Sequence, residues 1–449
     1  MLKRENNIGK GFAGAFPGLI AAGLLATLAP LGLGHAHGQA PSTGPQISTV
    51  GEATVETPVA LTPQTDEGAT RPEDLRGNLR VGPATVRVVG GVSTQYNDNI
   101  NYSEFNRRSD FIITPNIELN LLWQASETNL LTLDVGASYS KYLENSDADS
   151  QGINFTPDSA LNFRVLVGKY VTVTFFDRFS FQQTPLDAPT ISNTLNYGRF
   201  KNELGYNLVW NVNKVIDYEN GYYWGKWIST QDEFSYLDYD SHNFVNNLRI
   251  DVNPSVQTGI KSLISLTDYD DNFQNDSAVL RVGPFVRAKI SENTEVAGEV
   301  MYVMGLFDAP TRVAGRSNFD GDDIQNVNAN GQITNRLNQH MSQRFNAGYE
   351  TRLGTTSNFY DIAYARYAYS WQVLSPLTFD VEGFYEYGTE SGTIFSENFH
   401  RYGAGAGLSY RLTKSIVTGL KYKYIEKDSD QFGNDYFQNS VTLDFQYRF

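Results

Sequence analysis

The chain has 449 residues, no cysteine, 35 basic against 50 acidic side chains and a formal net charge of -15. A mean hydropathy of -0.38 and the lack of any apolar run of about 18 residues in the mature part exclude a bundle of membrane helices. They do not exclude strands that alternate wet and greasy faces. The absent cysteines exclude disulfides and a lipid-modified amino-terminal cysteine, and no nucleic-acid partner is expected of so acidic a chain.

At the amino-terminus, Lys3, Arg4 and Lys10 precede an apolar stretch from Phe12 to Leu33 and the small-residue run Gly38-Gln39-Ala40. That order reads as a secretory signal over 1-40, because Gly and Pro interrupt the apolar run and a cleavage pattern follows it. Residues 41-83 carry Pro, Thr, Glu and Gly without aromatics, which suits a flexible periplasmic lead-in. From residue 84 to 449 the pattern changes to alternation.

Val86, Val88, Gly90, Val92, Thr94 and Tyr96 alternate with Arg87, Val89, Gly91, Ser93 and Gln95 before the turn-forming Asn97-Asp98-Asn99. Ile113, Pro115, Ile117, Leu119, Leu121 and Trp123 form the apolar phase of a second strand, and Leu131, Leu133, Val135, Ala137 and Tyr139 that of a third. Further strands are expected near 158-168, 171-182, 197-210, 226-239, 241-253, 255-267, 277-290, 294-306, 357-371, 376-388, 398-412, 415-426 and 436-449. The last ends on Phe445, Tyr447 and Phe449 in one phase, with Asp444, Gln446 and Arg448 in the other. The fold class is therefore all-β, an up-and-down antiparallel transmembrane barrel of about 16 strands, with 14 or 18 also open.

Connection lengths and aromatics give the orientation. Tight turns fall at 125-128, around Lys169, at Asn253-Pro254, at 291-293, at 373-375 and at Thr413-Lys414, and most longer links alternate with them. Trp123, Trp210 and Trp371 close strands just before tight turns, while Tyr96, Tyr139, Tyr236, Tyr387 and Tyr424 approach the opposite rim. Residues 211-225 make an anomalously long turn and Asp240 an anomalously short loop, so a strand there is misplaced or irregular.

Two groups of residues are candidates for function. The inward phase places Arg281, Arg287 and Lys289 on one strand, and Arg401, Arg411, Lys421 and Lys423 on two later ones. Glu295, Glu299, Asp380, Glu382 and Glu386 lie between them, so opposed charges could orient solutes, or neighbouring strands could neutralise one another. The longest link, 307-356, is a candidate constriction loop carrying Asp308, Arg312, Arg316, Asp320, Asp322, Asp323 and Arg336. A short strand over Gln343 to Tyr349 is placed outside the wall. Gly403, Gly405 and Gly407 make one inward row nearly bare, as a resting place for a folded-in loop or as a bend.

Chemistry finds little support. His35 and His37 fall in the signal, and His242, His340 and His400 are scattered, so neither a triad nor a metal cluster can be assembled. No catalytic residue, cofactor or metal is expected.

With its signal, its alternating strands and the terminal Tyr447-Arg448-Phe449, the chain resembles outer-membrane β-barrel proteins. Asn193-Thr194-Leu195-Asn196-Tyr197-Gly198 and Asp238-Tyr239-Asp240-Ser241-His242 are similar to motifs of porin-type families associated with exopolysaccharide export. The resemblance implies a Gram-negative outer-membrane location, contact with outer-membrane lipids, and recognition of Tyr447 and Phe449 by the barrel assembly machinery. The expected function is passive diffusion of small polar or charged solutes. The alternatives are polysaccharide export, or a structural or adhesive barrel with a plugged lumen. Homo-oligomerisation stays open.

Overall fold

A period of two with apolar residues in one phase commits each segment to a strand with a dry outer and a wet inner face, and only closure removes the exposed edges such strands leave. The computed structural model describes residues 79-149, 154-183, 189-308, 319-392 and 396-449. The expected signal and all but the last five residues of the lead-in lie outside that set.

The wall has 18 strands. They are β1 (Ala84–Asn97), β2 (Asp110–Gln124), β3 (Asn129–Ser138), β4 (Ala160–Val167), β5 (Val171–Gln182), β6 (Arg199–Asn211), β7 (Ile216–Ser229), β8 (Tyr239–Asn253) and β9 (Val256–Tyr269). The second half comprises β10 (Ser277–Ser291), β11 (Thr294–Phe307), β12 (Ile324–Asn338), β13 (Met341–Leu353), β14 (Phe359–Leu374), β15 (Leu377–Glu390), β16 (Asn398–Arg411), β17 (Ile416–Ser429) and β18 (Tyr436–Arg448). Each pairs antiparallel with its neighbours, and β18 returns to β1 over Arg448↔Val89 to Ser440↔Asn97. The terminal strand is thus the closing one. Gly90 makes room there for the Phe449 ring, which an added Cβ would meet at 3.2 Å.

The count differs from about 16 because the link 307-356 contains two wall strands, β12 and β13. Gln343 to Tyr349 is part of the wall after all, and since strands were added as a pair, parity is preserved. The seventh strand also moves. Ile216–Ser229 forms β7 and Asp232–Leu237 a 3-10 helix, so the apparent long turn shrinks to 212-215 and the link to β8 lengthens to 230-238. Tyr236 therefore belongs to a loop, where it packs against Phe273 at 4.6 Å.

Tight turns lie at one end and longer loops at the other. Gly168, at φ +68°, makes the turn between β4 and β5 with a backbone that a side chain would strain. Trp123, Trp210 and Trp371 sit near the turn end of their strands. The outer phase exposes Ile117, Phe175, Leu204, Ile260, Val300, Ile333, Leu420 and Leu443, an apolar belt suited to hydrocarbon. Among the described residues no helix is long and apolar enough to cross a membrane. The piece Leu79–Val81 pairs with Ala84 to Val86 and covers the stretch of β1 that β18 does not reach.

Candidate functional site

The inner face is charged because the inward phase alternates with the apolar belt, and these charges are paired mainly between nearby strands. Glu386 on β15 accepts from Arg366 on β14 at 2.8 Å and from Arg401 Nε on β16 at 2.8 Å, with the Glu386 side chain 1% exposed. Lys421 reaches Glu382 at 2.8 Å, Lys261 reaches Glu299 at 2.7 Å, and Arg287 reaches Glu295 at 3.2 Å. Arg352 and Glu350 form a further pair on β13. So Glu295, Glu299, Glu382 and Glu386 do not face the basic groups across open water; they neutralise basic side chains one or two strands away.

The remaining candidates divide. Arg281 is buried and donates to the Thr351 carbonyl at 3.4 Å. Lys423 faces inward beside Glu382. Lys289, Asp380 and Arg411 form no ion pair among the described residues. Arg411 and Arg87 both lie near Arg448, with Glu118 as the acidic neighbour, which leaves this part of the turn end net basic. Among the described residues, no loop rests on the bare row of β16. A Cβ at Gly403 would meet the Phe384 ring at 2.5 Å and one at Gly405 would meet the Glu382 carboxylate at 2.9 Å, so side chains of β15 lean into that space.

Among the described residues, the mouth at the loop end is crossed by a segment other than the expected one. The link from β5 to β6, described at residue 183 and over 189-198, reaches strands on the far side of the ring. Thr190 Oγ1 lies 2.8 Å from Thr355 Oγ1, between β13 and β14, eight strands away in an 18-strand ring. Asn193 Nδ2 donates to the Gly433 carbonyl at 2.8 Å and Ser192 Oγ to that of Asn434 at 3.1 Å. Lys427 on β17 donates to Ser192 Oγ at 3.2 Å and pairs with Glu397 at 2.7 Å.

A second loop, 98-109, meets it. Tyr102 and Asn193 both have left-handed backbones, at φ 50° and 58°, and the Asn193 N–H donates to the Tyr102 carbonyl at 3.0 Å. Such a conformation costs about 1 to 3 kcal/mol for an aromatic residue, so surrounding contacts must hold it. They do: buried Asn99 donates to the Ser103 and Phe437 carbonyls at 2.9 and 2.8 Å, and Tyr102 packs edge-on to Tyr436 at 5.4 Å. Burial pushes the Tyr102 phenol well above its ordinary range, against a lowering hydrogen bond from Gln438. Ile191 and Tyr197 of the crossing loop form a buried cluster with Leu237, and Phe234 is T-stacked on Tyr197 at 4.7 Å.

Those of the expected constriction residues that are described lie elsewhere. Arg336 lies in β12, in the inward phase near the turn end, and so belongs to the wall. Arg312 and Arg316 lie outside the described residues. Asp320 is 2% exposed and knits loops together: its carboxylate accepts from Asn358 N–H at 2.8 Å, from Ser391 Oγ at 2.6 Å and from Asp322 N–H at 2.9 Å. Asp322 accepts from Gly392 N–H at 3.3 Å and Asp323 from Phe307 N–H at 3.0 Å. Asp308 donates its N–H to Asp276 at 3.0 Å. These residues staple the rim; Thr190, Ser192 and Asn193 cross the mouth. Their sequence signal was the run Asn193 to Gly198 between two well-marked strands, with Pro189 before it.

Among the described residues no three His, Asp or Glu side chains gather to hold a metal. His242 and His400 face outward, hydrogen-bonded to Tyr222 and Tyr385 at 2.8 Å each.

No family model matches the chain and no curated protein matches its sequence. Solved structures resemble it at low identity. Pseudomonas aeruginosa OccK5 (OpdH) is 11% identical with a TM-score of 0.46, covering 81% of this chain and 98% of its own. Acinetobacter baumannii OccAB3 is 11% identical at 0.47, covering 81% and 99%. The outer membrane protein OpdK of Pseudomonas aeruginosa is 8% identical at 0.47, covering 81% and 99%. Strand number and closure stand on the pairing within this chain.

Proposed function

We propose that the chain is an outer-membrane, porin-like channel for passive diffusion of small polar or charged solutes. The observation that carries the reading is the inversion of polarity across one closed wall: apolar side chains outside, paired charges inside. Selection would arise from two elements in series, the loop crossing the mouth and the charged lumen below it. In this reading the loops face the exterior and the turns the periplasm. The assembly machinery would read Tyr447 and Phe449, whose rings stack edge-on at 4.8 Å on the closing strand. Lipid contacts the apolar belt.

One observation favours the runner-up, a plugged barrel or one serving polysaccharide export: the loops 98-109 and 189-198 bond to each other, and the second of them bonds to the far rim. Liposome swelling separates the two. Purified protein in liposomes should admit small sugars and amino acids at rates that fall with solute size, whereas vesicles that stay impermeable to all of them would refute the channel and leave the plugged barrel.

A further inference from the structure

The segment that crosses the mouth is tied at separate points of the ring. Thr190 meets Thr355 between β13 and β14, Asn193 meets Gly433 in the link from β17 to β18, and Ser192 meets Lys427 on β17. These ties differ in kind. The first two join neutral groups, and the Asn193 bond is exposed, where water competes for both partners. The third joins Ser192 to a cation sealed from solvent: the Lys427 side chain is 0% exposed and that of its counter-ion Glu397 is 3% exposed.

An ammonium carries three N–H donors and no acceptor, so an enclosed one needs a partner for each. Lys427 finds a carboxylate oxygen of Glu397 at 2.7 Å, the Ser192 hydroxyl at 3.2 Å and the face of the buried Phe399 ring, whose centroid lies 5.2 Å away. The wall and its rim supply two of these partners, and the crossing segment supplies the third. Lifting Ser192 away would leave one donor of an enclosed cation open, whereas breaking either of the other ties frees only neutral groups. The bonds around the ammonium also close into a circuit. Ser192 Oγ donates to the Asn434 carbonyl at 3.1 Å, and Asn434 Nδ2 donates at 3.3 Å to Glu397 Oε1, the oxygen that Lys427 holds. Ser429 Oγ donates to that oxygen as well. The other charged neighbours of Lys427, Arg401 and Glu390, are of opposite sign. Beside Ser192, Asn193 keeps a left-handed backbone at φ 58°, which neighbouring contacts must sustain.

We propose that Lys427 is the positioning residue of the mouth: neutralised by Glu397, it fixes the crossing segment over the lumen through Ser192 and so sets the aperture left for solutes. The consequence for flow rests on the channel reading. The fixing of the segment does not.

The test uses the full chain in lipid bilayers, with hydrogen exchange resolved to single amides and single-channel conductance as separate readouts. Ser192→Ala removes the partner of the ammonium without touching the wall. Lys427→Met combined with Glu397→Gln removes donor and counter-charge together, so no lone charge stays buried. In both variants the Asn193 N–H, which donates to the Tyr102 carbonyl at 3.0 Å, should exchange at least tenfold faster, and conductance should rise by at least half. Ser192→Thr, which keeps the hydroxyl, should match the native chain in both readouts. Thr190→Val breaks a neutral tie and should speed that exchange less than twofold. The unfolding midpoint of Ser192→Ala should equal that of the native chain, which separates positioning of the segment from support of the barrel. Exchange at Asn193 within twofold of native in Ser192→Ala and in the double variant would overturn the proposal. Equal acceleration by Thr190→Val would do the same, as would faster exchange with unchanged conductance in a chain that conducts. Silence from every protein alongside the expected exchange would overturn the channel reading alone and leave Lys427 as the anchor of a plug.

Discussion

Two junctions in this wall can be set side by side: the closing seam of β18 with β1, and the parted pair of β12 with β13. The closing seam joins the two ends of the wall, yet it is continuous from Arg448↔Val89 to Ser440↔Asn97 and extended by backbone bonds from Asp98 to Asn439 and from Phe449 to Val88. The parted pair joins strands connected by the two-residue turn 339-340, yet it loses its ladder halfway up. Proximity in sequence therefore does not decide where a barrel is firm. What decides is which groups satisfy the backbone: carbonyls and amides at the seam, the side chains of Asn328 and Arg281 at the gap.

Substitutions can break or sharpen that contrast. The largest effect is expected away from both junctions and sets the scale. Glu386→Gln leaves Arg366 and Arg401 facing a neutral group, with Arg401 fully enclosed, and should destabilise the barrel by about 3 to 5 kcal/mol in detergent unfolding titrations. At the closing seam, Leu443→Arg puts a charge on the apolar belt and should cost about 2 to 4 kcal/mol in the same titration. A loss well under 1 kcal/mol there would mean that the outer phase of β18 does not meet lipid.

At the gap the effect should be smaller and local. Asn328→Ala removes the acceptor of the Thr351 N–H and should cost about 1 to 2 kcal/mol, with faster hydrogen exchange at Thr351 and none at Thr94 or Leu443. Equal acceleration at both junctions would mean that the two are equally firm. The smallest change is expected at a loop tip: Phe432, 93% exposed and tilted against Phe105, should shift stability by no more than about 0.5 kcal/mol on replacement by Ala.

The same contrast explains what could be read from sequence. The closing seam was legible because Val441, Leu443, Phe445 and Tyr447 alternate cleanly with polar residues. β12 was not, since its outer phase contains Ala329 and Gly331 and its inner phase Asn326, Asn328 and Asn330, residues poor in strand propensity. β7 was displaced because Tyr222, Tyr223, Trp224 and Trp227 place aromatics in both phases, while Asp232 to Leu237 imitates an alternating strand. Inward charge could be assigned by counting phase, but its pairing could not, because Glu386 finds Arg366 and Arg401 through register. The crossing loop escaped for a further reason: Thr190 and Thr355 are far apart in sequence and meet only once the ring is closed.

The central claim is a wet lumen whose access is set by the segment crossing its mouth. Single-channel recording in planar bilayers tests it most directly, comparing the full chain with a variant in which residues 189-196 are replaced by a short Gly-Ser link. The account predicts discrete conductance from the full chain and at least a twofold larger conductance from the variant. Silence from both proteins, each shown to be folded and inserted, would contradict it.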